Sequence, residues 1–131
     1  LDFSHDEPFS LKQRELASAQ LKTLSFPDSK TEYWKYTRIN KIINGEYKIA
    51  FPENELELDL AVPSKNCIVL INGFYSEAHS FTECEEGVRF SSLSDAKKND
   101  PVLKSHFNSL VKEEEIFSVI NSAFHQDGAF R

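Results

Sequence analysis

"CIVLINGFYSEAHSF", residues 67 to 81, decides the fold class. Cys67 to Ile71 is apolar at every position, and a short run of that kind suits a central strand covered on both faces. Asn72-Gly73 follows directly, and both residues tolerate the positive φ angles of a tight type I′ turn. The stretch therefore predicts a β-hairpin. Helical signals stand on either side of it, so the class is α+β.

Upstream, "SLKQRELASAQLKTL", residues 10–24, places Ser10 and Gln13 in capping-box spacing, with Leu11, Leu16, Ala17, Leu21 and Leu24 as a broad apolar stripe. "FPDSK" ends that helix, because Pro27 disfavours a helical Phe26. "RINKIIN", residues 38–44, predicts a short helix closed by a left-handed Gly45. "ELELDLAV", residues 55–62, alternates Leu56, Leu58, Leu60 and Val62 with mostly acidic residues, as a half-buried edge strand does. Its carboxylates do not converge as a calcium loop's would.

Downstream, "GVRFSSL", residues 87–93, predicts a strand with Val88 and Phe90 on one side, then a short helix around Asp95 to Lys98. Asp100-Pro101 is a helix start, a capping side chain followed by a residue of fixed φ, with Leu103, Phe107 and Leu110 as the buried stripe. "EEEIFSVINSAF", residues 113–124, predicts a last helix with acids at its positive end and an apolar surface around much of its circumference. Three segments follow: a loose tail over 1–9, an α+β domain over 10–124, and a turn into a strand over 125–131.

The chain has 131 residues, 40% apolar and 27% charged, which suits one domain with its own core. It starts at Leu1, holds no methionine and stops at Arg131, and reads as part of a longer protein. Its longest apolar run falls far short of the roughly 20 residues that cross a bilayer. A net charge of −6 argues against a domain living on duplex phosphates. Two cysteines without a pattern favour a reducing, cytoplasmic setting.

Reactive chemistry has little support. Gly45, Gly73, Gly87 and Gly128 are too scattered for a phosphate loop. Glu83, Glu85 and Glu86 around Cys84 disfavour a thiolate, and Cys67 belongs to the apolar strand. His5, His79, His106 and His125 share no ligand spacing with each other or with the cysteines. Two other functional classes stay open: a cysteine-dependent enzyme, which reactive thiols would betray, and a single-strand nucleic-acid binder centred on "EYWKYTRINK", residues 32–41. On an extended segment Trp34 and Tyr36 would share a face, and the preferred reading is a structural clasp against the first helix.

Four stretches in order carry a resemblance: "FPDSKTEYWKYTRINKI", "CIVLINGFYSEAHS", "GVRFSSLSDA" and "IFSVINSAFHQDGAF". Together they resemble the N-terminal region of the SufB/SufD family of iron–sulfur cluster assembly proteins, in its SufD form. The family signature falls on Glu32, Trp34, Lys35, Tyr36, Thr37, Asn72, Gly73, Asn121, Phe124, Asp127 and Gly128, residues expected to be structural. The resemblance implies a non-catalytic scaffold subunit in the cytoplasm, partnered by SufB and the ATPase SufC, with neither nucleic acid nor membrane as a partner. It implies a right-handed parallel β-helix beyond "DGAFR", with any cluster ligands there. No catalytic, metal or cofactor-binding residue is carried over to this segment.

Overall fold

The computed structural model describes residues 2–28, 30–52, 56–57, 59, 65–83, 86–109 and 115–131. Helix α1 spans Pro8–Leu21, α2 Asn40–Ile43, α3 Leu93–Asn99, α4 Pro101–His106 and α5 Ile116–Phe124. Strands β1 (Asn66–Cys67), β2 (Leu70–Ile71), β3 (Phe74–Tyr75), β4 (Phe81–Thr82), β5 (Ser91–Ser92) and β6 (Ala129–Phe130) pair as three antiparallel ribbons, β1 with β4, β2 with β3 and β5 with β6. Helices with small antiparallel ribbons make this an α+β fold, as the sequence predicts.

Helix α1 starts at Pro8, two residues before the predicted Ser10. Proline is well placed at a first helical position, where its missing N–H costs nothing and its φ is already helical. Ser10 is therefore inside the helix, and its hydroxyl donates to Asp6 Oδ2 at 3.0 Å instead of capping. The predicted stripe is borne out at Ala17, Leu21 and Leu24, which meet the core, and fails at Leu16. Leu16 is 56% exposed, and the buried positions of the helix besides Ala17 are polar, Ser10 and Arg14. The helix ends at Leu21, well before Pro27.

The core sits where α1 crosses α5. Ala17, Val119 and Ala123 are fully or almost fully buried there, with Leu21 and Leu24 packed against them. Small side chains on both helices let the backbones approach closely. Full burial of Val119 contributes about 1.5–3 kcal/mol.

The apolar run at 67–71 is not one central strand. It divides between β1 and β2, and Leu70 is 47% exposed. The turn that follows is as predicted, with Asn72 at φ 54° and Gly73 at φ 87°. Ile71 pairs with Phe74 across it. Leu56, Glu57 and Asp59 are exposed and lie outside any strand, and Leu58, Leu60 and Val62 fall outside the described residues. Of "GVRFSSL" only Ser91–Ser92 is strand, with Val88 and Phe90 half-buried just before it. Gly45 does not close α2 in a left-handed conformation; Asn44 ends it at φ −95°.

Helix α4 starts as read at Asp100-Pro101, and α3 starts at Leu93, two residues before the expected Asp95. Ser92 accepts the Asp95 N–H at 2.9 Å and caps α3. Asp100 accepts the N–H groups of Val102 and Leu103 at 2.8 and 3.2 Å and caps α4. Leu103 is buried and Phe107 half-buried as predicted, and Leu110 lies outside the described residues. Of the acids before α5, Glu115 makes no side-chain cap; Glu113 and Glu114 are outside the described residues.

Candidate functional site

Arg14 is 4% exposed and engaged through three of its nitrogens. Its Nε donates to Asp6 Oδ2 at 2.7 Å, its Nη1 to the Ala123 carbonyl at 3.0 Å and its Nη2 to the His125 carbonyl at 2.6 Å. Phe3 lies under the guanidinium, 3.8 Å from its carbon to the ring centroid. The last carbonyls of a helix have no partner within it and carry its negative end. A planar cation with five donors can serve a carboxylate and two such carbonyls together. Arg14 thereby joins α1, the segment before it and the end of α5. Burial alone would raise the Asp6 carboxyl, but the bonds from Arg14 and Ser10 outweigh it and hold it below its ordinary value.

Lys97 on α3 reaches the same place, and it too is 4% exposed. Its Nζ stands 2.7 Å from His125 Nε2, and His125 Nδ1 stands 3.0 Å from the Asn121 carbonyl. A carbonyl can only accept, so Nδ1 carries the proton, leaving Nε2 to accept from the ammonium. His125 is thus neutral, and its pKa is pushed down to about 4 by burial first, then by the charges of Lys97 and Arg14. Burial also lowers the Lys97 pKa; Asp6 and Asp127 act against that shift and Arg14 with it.

Asp127 makes the next connection. Oδ2 accepts the Tyr75 N–H and Oδ1 the Ser94 N–H, both at 2.9 Å. The neighbouring Gly128 carbonyl accepts from Leu93 N–H at 2.9 Å. One carboxylate thus ties the end of the chain to β3 and to the first turn of α3. Asp100, 3% exposed, receives Arg89 on its remaining oxygen besides capping α4.

The signature residues fall in separate places. Trp34 ends a 3-10 turn, Glu32–Trp34, and is half-buried. Its ring lies 5.0 Å from that of Phe117, and its Nε1 donates to Glu115 at 3.3 Å. It clasps α5, not α1 as predicted. The 3-10 turn also separates the rings predicted to share a face: Tyr36 is 90% exposed, as is Tyr33 at 92%. Lys35 and Thr37 line an open cavity with Arg38 and Lys41. Asn72 and Gly73 form the hairpin turn. Asn121 supplies the carbonyl that holds His125, and Phe124 is 47% exposed.

Sequence reasoning passed over Asp6, Arg14 and Lys97, which meet only through tertiary packing. Among the described residues no group of three or more His, Cys, Asp or Glu side chains converges as metal ligands would. Cys67 is a half-buried free thiol, and Cys84 lies outside the described residues. His79 closes a local turn, bonded to Ser76 Oγ and to the Leu56 carbonyl at 2.8 Å each. No described helix is long and apolar enough to cross a membrane.

Fold and site together define a small α+β domain whose buried charges tie its helices and ribbons to one another. The family model of the SufBD protein N-terminal region matches residues 3–130. The chain belongs to that family, and so to the iron–sulfur cluster assembly proteins of the SUF system. No curated protein and no solved structure matches it.

Proposed function

We propose that the chain is the N-terminal domain of a SufD-type scaffold subunit, working in the cytoplasm beside SufB and the ATPase SufC. It contributes shape and docking surface, with no catalytic group or resident cofactor of its own. The observation that carries this reading is the bonding of Asp127. Both of its oxygens accept backbone N–H groups, from Tyr75 and Ser94, so this signature acid acts as a joint. The Glu-x-Trp-Lys-Tyr-Thr stretch favours SufD over SufB, and Trp34 within it is seated on Phe117. In this reading residues 125–131 lead into a right-handed parallel β-helix, and iron–sulfur clusters are the cargo of the parent complex.

The test is affinity capture of SufB and SufC by the parent subunit, with and without residues 1 to 115. Reduced capture or reduced cluster transfer by the shortened form is the expected result. Unchanged assembly and transfer would remove the role assigned to the domain.

A further inference from the structure

Residues 33–45 contain three cations, Lys35, Arg38 and Lys41, and no acid. All three side chains are exposed and line one open cavity of about 440 Å³, with Thr37 and Asn40 adding polar groups and Asp28 the one carboxylate among the described lining residues. The ion pairs among the described residues involve other cations: Arg14, Lys65, Arg89 and Lys104. A chain with 21 acids and 15 bases has ample means to neutralise such a cluster. Three like charges around one cavity repel each other, and a bound anion would relieve that repulsion.

The surroundings say what kind of anion. Ile42 on α2 is 53% exposed, and Tyr47, 71% exposed, reaches back to donate its hydroxyl to the Ile42 carbonyl at 2.7 Å. Tyr33 and Tyr36 nearby are almost fully exposed, and the Lys35 ammonium stands 5.5 Å from the Tyr36 ring centroid. Tyrosine and arginine beside exposed aliphatic groups are the composition of a protein-binding surface. A nucleic-acid strand needs a track of cations along its backbone. Here the cations surround one cavity instead.

We propose that the cavity lined by Lys35, Arg38 and Lys41 docks an acidic segment of a partner protein, its carboxylates among the cations and its apolar side chains on the exposed Ile42 and Tyr47 that follow them in the chain. This surface is independent of which SUF subunit the chain represents.

The test is fluorescence anisotropy on the whole chain with three probes. They are a short labelled peptide of alternating glutamate and leucine, its lysine–leucine counterpart, and a single-stranded thymidine oligomer. The acidic peptide alone should bind, and added salt should weaken it. The combined variant Lys35→Glu, Arg38→Glu, Lys41→Glu should lower its affinity at least about tenfold. Lys12→Glu, on the exposed side of α1, should leave it unchanged. Since all four side chains are exposed, unchanged circular dichroism is expected throughout. Failure of the acidic peptide to bind, or binding indifferent to the triple variant, would overturn the proposal. Stronger binding of the thymidine oligomer would replace it with a nucleic-acid surface.

Discussion

Lys97 Nζ stands 2.7 Å from His125 Nε2, so a buried ammonium donates to an imidazole that must stay neutral to receive it. This fixes both the tautomer of His125 and its response to acid. The native ring resists protonation until about pH 4, against an ordinary value of 6.5. The unfolded ring takes its proton at the ordinary value. The contribution of His125 to stability is therefore complete above about pH 6.5 and is lost progressively as pH falls toward about 4. For a fully enclosed ring that interval would correspond to on the order of 3 kcal/mol, and partial solvent access reduces it to about 1–2 kcal/mol. Urea midpoints measured from pH 7.5 downward should fall in this window, and His125→Gln should flatten the decline. A midpoint constant down to pH 4 would contradict the neutral, lysine-bonded imidazole.

Arg14 should be the costliest single charge to remove. Arg14→Met takes the donor from the carbonyls of Ala123 and His125 and the cation from the Asp6 carboxylate, which keeps the Ser10 hydroxyl. The expected loss is about 3 kcal/mol by denaturant unfolding. Arg14→Lys should recover only part of it, because one ammonium lacks the planar fork that reaches three acceptors. Adding Asp6→Asn to Arg14→Met should cost less than the sum of the two changes, since the carboxylate stranded by the first is neutralised by the second. Simple additivity would mean the pair is not coupled.

What was legible in the sequence follows the distance over which each feature is encoded. Asn72-Gly73 and Asp100-Pro101 act within a few residues, through positive φ and through side-chain capping, and both are found as read. The family stretches were legible for a different reason, since their order and spacing survive without knowledge of contacts. Arg14 looked like the solvent side of α1, because it and Ser10 are polar and carry no apolar signal, although both are buried beside Ala17. Its partners lie 109 and 111 residues away in the chain. Lys97 has the same difficulty, meeting His125 from 28 residues off. The run from Cys67 to Ile71 misled in the other direction. Its uniform hydrophobicity suggested a strand buried on both sides, whereas two short ribbons divide it and leave Leu70 exposed.

Two signature glycines should respond differently to a methyl group. Gly73 holds φ 87°, where a side chain is strained even though space around it is open. Gly73→Ala should destabilise by about 1 kcal/mol and loosen the β2–β3 ribbon. Gly128 is not in that conformation, and an added Cβ would meet Leu93 at 3.5 and 3.6 Å, an ordinary contact. Gly128→Ala should change the thermal midpoint little. Comparable losses at both positions would show that Gly128 serves closer packing than Leu93 imposes.

Asp127 gives the most local readout. Asp127→Ala would leave the Tyr75 and Ser94 N–H groups, both in half-buried residues, without an acceptor. Each such loss costs about 1–3 kcal/mol, less where water can enter. A total near 2 kcal/mol is expected for the pair. Asp127→Asn keeps one acceptor oxygen and puts an amide nitrogen opposite the other N–H, so it should restore one bond and repel at the second. Hydrogen exchange separates the cases: Asp127→Ala should speed exchange at both amides, Asp127→Asn at one. Amides within the α1–α5 core should change only as far as global stability does. If Tyr75 and Ser94 kept their protection in both variants, Asp127 would not be the joint between the end of the chain, β3 and α3.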